Sequence, residues 1–142
     1  MKKSQQAIEN FKKMNCAQSV LVSFANELNM DEKLALRVAL SFGGGMAMGE
    51  TCGAVTGAYM VLGLKVKAEG KTVPEIKAES KASVRRFNEL FLAKHGSLQC
   101  KKLIGVDLST PEGHQEAVAN DLFNQVCAKL VASSAEILEE NF

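Results

Sequence analysis

The chain has almost no excess charge of either sign. Its 142 residues carry 17 lysines and arginines against 16 aspartates and glutamates. Such a balance removes the broad electrostatic attraction that nucleic acid or an acidic membrane surface calls for. No apolar run is long enough to cross a bilayer. The longest, residues 54–64, contains Thr56 and Tyr59 and falls short of the ~20 residues that span the hydrocarbon. It reads as a buried core helix, and no membrane span is expected. The opening Met1-Lys2-Lys3-Ser4-Gln5-Gln6 leads into no apolar signal segment. The expected setting is therefore cytoplasmic. Strand alternation, Asn-Gly hairpin turns, internal repeats and low-complexity linkers are missing too. Cysteine is sparse, at four residues, which excludes a disulfide-built miniprotein. No C-x-x-C occurs, which removes the paired-knuckle zinc pattern and the thioredoxin type of redox pair.

What is present is helical periodicity. With 46% hydrophobic and 23% charged residues, the composition suits a soluble globular chain. The length predicts one domain over residues 1–142. Ile8 and Phe11 mark a short amphipathic start. Asn15 is placed to cap a helix with Val20, Leu21, Phe24 and Leu28 at three- and four-residue steps. Asn29 or Asp31 caps the next, over 31–42. There Leu36 and Leu40 add a second apolar side and predict a central position. Three consecutive glycines, Gly43 to Gly45, break the chain, and a helix apolar on nearly all sides resumes from Cys52 to Lys67. Gly53, Gly57 and Gly63 within it point to close backbone approach.

Thr72-Val73-Pro74-Glu75 opens a longer helix that Gly96 stops. Ser97 caps a short one ending at Gly105. Ser109-Thr110-Pro111-Glu112 starts the last, which places Val118, Leu122, Phe123, Val126, Cys127, Leu130, Val131, Ile137 and Leu138 on one face. The expected fold is all-α, a single-domain irregular bundle of about six or seven helices.

Cys16, Cys52 and Cys100 each fall where a helix is predicted to begin. Unpaired N–H groups and the helix dipole at such a start favour thiolate, which is both nucleophile and metal ligand. Cys127 lies on the core-facing stripe of the last helix, where a thiol stays neutral. It can serve as a resolving partner or a fourth ligand if that face meets the others. Each cysteine taken alone also fits as a small buried hydrophobe, Cys127 above all.

Cys52-Gly53-Ala54-Val55-Thr56-Gly57 reads C-G-A-x-x-G. It is preceded by Asn15-Cys16-Ala17-Gln18 and followed by Gly96-Ser97-Leu98-Gln99-Cys100 and by Cys127. In this the chain resembles the C_GCAxxG_C_C family of four-cysteine, redox-active proteins over nearly its whole length. The resemblance implies that the four cysteines belong together.

The leading expectation is a thiol-based oxidoreductase or electron-transfer protein. Cys52 would be the attacking thiolate and Cys16 or Cys100 the resolving thiol, with Cys127 completing the set. Its redox or electron-transfer partner is unspecified. An alternative is a metal-binding module in which Cys16, Cys52, Cys100 and Cys127 hold zinc or an iron–sulfur cluster. A third is a helical interaction protein with inert buried thiols. The apolar 54–64 and 31–42 helices could also form the interface of a homo-oligomer.

Other features carry less. Gly44 to Thr51 has the glycine spacing of a phosphate-binding loop, but Glu50 stands where lysine is required and a helix precedes it. That glycine segment reads either as a flexible approach to Cys52 or as a plain connection. His95 suits a helix C-terminus, with a lesser reading as a base for Cys100. His114 is expected in solvent. Met46 and Met48 are expected to fill the core or line a small pocket. Lys101 and Lys102 add positive charge near Cys100.

Overall fold

The computed structural model describes residues 1–142. Side-chain caps set half of the helix starts. α1 runs Lys3–Phe11 and α2 runs Cys16–Ala25. Asn15 closes a reciprocal box ahead of α2. Its side chain accepts from the Gln18 amide at 2.9 Å, and the Gln18 side chain accepts from the Asn15 amide at 3.0 Å. Asp31, of the two candidates, caps α3, Glu32–Ala39, by accepting from the Leu34 amide. α4 is Gly53–Lys65 and α5 is Val73–His95. Thr72 and Glu75 form the predicted box at the start of α5, and Gly96 ends it at φ 79°.

α6 is the short Cys100–Ile104, α7 is Pro111–Ala119 behind Thr110, and α8 is Ala128–Asn141. Ser97 lies two residues too early to cap α6. Its hydroxyl accepts from the Gln99 amide instead, and Gln99 holds the cap position.

The bundle is all-α with eight helices, one more than the upper expectation. The extra one comes from a split in the predicted last helix. Asp121 adopts φ 55°, a left-handed conformation that aspartate tolerates, and a wide turn over Phe123–Cys127 precedes α8. Val118 therefore leaves the common face and is 60% exposed.

α3 also departs from expectation. Only Ala35 and Ala39 are buried, while Leu34 and Val38 are 48% and 46% exposed. It lies at the periphery, because the small alanine side faces α2 and the larger residues face out. No helix is long and apolar enough to cross a membrane.

The C-G-A-x-x-G segment sets the crossing of α2 on α4. A β-carbon on Gly53 would stand 2.8 Å from the Cys16 β-carbon, and one on Gly57 would stand 2.7 Å from the Ala17 carbonyl oxygen. Hydrogen at both positions lets the two backbones approach. Ala54 faces the third partner, accepting at its carbonyl from the Ser134 hydroxyl of α8 at 2.7 Å. Gly63 meets nothing within 4 Å, so close approach holds for two of the three glycines. Around this crossing sits the main core, with Phe24, Phe87, Phe91, Val55, Ile137 and Leu138 fully buried. A second, small cluster gathers Cys100, Ile104, Ala117 and Cys127.

Candidate functional site: a cavity shared by four thiols

Between the two clusters lies a cavity of about 770 Å3 lined by Cys16, Cys52, Cys100 and Cys127. Cys16 is the first residue of α2, Cys52 the cap of α4, and Cys100 the first residue of α6. The predicted helix starts therefore hold for all three. Cys127 ends the wide turn before α8. Cys16 is half-buried, the other three are buried, and all four are free thiols with no disulfide.

Cys52 and Cys100 are tied together by backbone. Thr51 and Gln99 form a one-residue antiparallel bridge. The Cys52 amide donates to the Leu98 carbonyl at 2.8 Å, and the Cys100 amide donates to the Glu50 carbonyl at 2.6 Å. The two cysteines flank the bridge diagonally and so share one face of the paired segments.

The glycine loop forms part of the wall. Gly44, Gly45, Met46 and Ala47 have φ between 59° and 65°, four successive left-handed residues. For Met46 and Ala47 that conformation costs roughly 1–2 kcal/mol each. The Glu50 amide closes the turn on the Gly45 carbonyl at 3.1 Å. Gly45 has no room for a side chain, since its β-carbon would stand 2.8 Å from that of Cys100. Met48 points outward, and Ala47 rather than either methionine lines the cavity.

Thiol acidity separates the four in a way their helix positions do not foretell. Burial pushes Cys52 up to about 12, although the Ala54 and Val55 amides at the start of α4 pull the other way. Burial, then the neighbouring Cys127, push Cys100 up to about 11. Asp107 adds to this and Lys101 only partly opposes it. Lys101 is in turn paired with Asp107 at 3.7 Å. Cys16 is held well above the ordinary thiol range, first by its hydrogen bond with Cys127 and then by burial. Cys127 alone is lowered, and the same bond from Cys16 is the main cause.

The amides at a helix start do favour the thiolate, but desolvation outweighs them at Cys52. Burial thus keeps Cys52 a thiol at neutral pH, and of the four it is Cys127 whose acidity moves toward the thiolate.

No three of the chain's histidine, cysteine, aspartate and glutamate side chains are gathered closely enough to hold a metal ion. His95 takes no part. It packs on Phe91 and bonds the Ser133 hydroxyl at 2.8 Å. His114 is exposed, as expected, and also lines the cavity, with its ring 5.8 Å from that of Phe123. Its position one turn into α7 held no sequence signal for this, because the turn that brings α7 to the cavity is non-local.

A family model described as "Putative redox-active protein (C_GCAxxG_C_C)" matches residues 14–141. The chain belongs to the C_GCAxxG_C_C family. No curated protein and no solved structure gives a match. The matched region takes in all four cavity cysteines and the α2–α4 crossing that the family hexapeptide builds.

Proposed function

We propose that the protein is a dithiol–disulfide oxidoreductase in which Cys127 attacks and Cys16 resolves. One observation carries this: all four cysteines line one cavity, and in it Cys16 and Cys127 stand near enough for each to shift the other's acidity. The reaction balances with an organic disulfide as oxidant. The Cys127 thiolate attacks one sulfur, forming a mixed disulfide and releasing one thiolate. Cys16 then attacks the Cys127 sulfur as its proton is lost, forming the Cys16–Cys127 bond and releasing the second thiol. Two electrons pass from the protein to the substrate. The reverse direction oxidises a dithiol.

Cys127 replaces Cys52 in the attacking role because only a thiolate is nucleophilic and burial keeps Cys52 protonated. Cys52 and Cys100, held across the bridge, are a second dithiol within the same cavity.

The test is anaerobic reaction of the reduced protein with 4,4'-dithiodipyridine, then alkylation and peptide mapping by mass spectrometry. The first internal bond is expected between Cys16 and Cys127, with a loss of about 2 Da. Cys16→Ser should accumulate a mixed disulfide on Cys127. A first bond between Cys52 and Cys100, or thiols that react only after denaturation, would refute the assignment. Stoichiometric zinc or iron in protein purified without oxygen would replace it with the metal-binding reading.

A further inference from the structure

The cavity wall has a charge pattern that the thiol chemistry leaves unexplained. Its lining is mostly apolar, with Phe11, Leu103, Leu108 and Phe123 among the larger side chains. Not one aspartate or glutamate lines it, whereas Lys12 and Lys13 both do. These lysines follow the last turn of α1 and are exposed. Lys12 is paired with Glu9 at 2.9 Å, and Lys13 has no carboxylate partner. With Lys12 offset by Glu9, Lys13 is the uncompensated cation on a wall that no carboxylate lines. The N-termini of α2 and α4 reach the same wall through Cys16 and Gly53, adding the positive ends of two helix dipoles.

The volume lies within the ~300–1,000 Å3 range of small-molecule pockets. A macromolecular surface would not fit inside it, and a bare inorganic anion would leave the apolar walls unfilled. We infer that the cavity binds a small organic anion, an apolar body carrying a carboxylate or sulfonate group, with that group at Lys12 and Lys13 and the body against Phe11 and Phe123.

For the reaction above, this makes the substrate an organic disulfide with acidic substituents. The substrate class rests on the dithiol reading, whereas binding itself can be measured without it.

The probes are 8-anilino-1-naphthalenesulfonate and its uncharged analogue N-phenyl-1-naphthylamine, titrated by fluorescence into the reduced full-length protein. The sulfonate is expected at one site per chain, on the order of tenfold tighter than the amine. A Lys12→Gln/Lys13→Gln double variant should bring the sulfonate down to the affinity of the amine and leave the amine unchanged. Both substitutions are on exposed side chains and spare the fold. Amide NMR shifts on sulfonate binding should concentrate at Gly43–Gly45 and Phe123–Ala128.

Equal affinities in the parent protein would overturn the inference, as would an unchanged double variant. Shifts centred on the exposed Leu34 and Val38 of α3 would do the same. Sulfonate binding at the cavity without a Cys16–Cys127 bond on oxidation would keep the ligand class and discard the dithiol assignment. The converse pattern would keep the dithiol and discard the ligand class.

Discussion

Cys127 and Cys52 carry the same functional group in one cavity, yet their acidities move in opposite directions. The difference lies in what each sulfur can bond when ionised. Cys127 has the Cys16 thiol beside it, which favours its ionised form. For Cys52 the helix amides do not offset the loss of water. Alkylation by iodoacetamide should therefore be fastest at Cys127, with a pH–rate inflection below the ordinary thiol value of 9.0. Cys16→Ala removes that thiol and should move that inflection upward, which residue-resolved mass spectrometry can follow.

The buried thiols also tie stability to pH. A thiol raised in the folded state binds its proton more tightly there than in the unfolded chain. Its stabilisation is complete below the unfolded value and is lost as pH rises through the folded one. For Cys52 that window runs from 9.0 to about 12. The urea midpoint should fall between pH 8.5 and 10.5, and Cys52→Ala should flatten that slope.

At the level of elements, the hexapeptide acts first as a packing device. Gly53→Ala or Gly57→Ala forces a β-carbon into α2 and should cost about 1–3 kcal/mol in urea unfolding. Gly63→Ala meets open space in a helix and should instead stabilise by roughly 0.4–1 kcal/mol. Ala47→Gly relieves a left-handed residue and should stabilise by about 1 kcal/mol.

These elements also show where the sequence was readable. Helix starts at Asn15, Thr72 and Thr110 were legible because a cap is a local hydrogen bond between residues three apart. The break at Asn120–Asp121 was not, since an unbroken apolar stripe ran across it. The rank of the four thiols was hidden for a different reason. Proximity to a helix start can be read from neighbours in sequence, but burial is set by the tertiary fold, and Cys16 and Cys127 are more than a hundred positions apart. The placement of α3 failed similarly, because an extra apolar side does not say what stands opposite.

Across the whole molecule, the reactive pair joins early and late parts of the chain. α1 packs against both α2 and α8, and Cys16 meets Cys127 beside that junction. A bond between them would close a loop of roughly 110 residues, worth about 4–5 kcal/mol through restriction of the unfolded chain. The oxidised protein should unfold at higher urea than the reduced one. That gain should vanish in Cys16→Ser.

The same separation has a consequence during synthesis. A ribosome extrudes Cys16, Cys52 and Cys100 well before Cys127 emerges. The nascent chain thus holds three thiols and lacks the one whose acidity the finished fold enhances. Premature oxidation at that stage could join only members of the first three, and any bond involving Cys16 would leave Cys127 stranded.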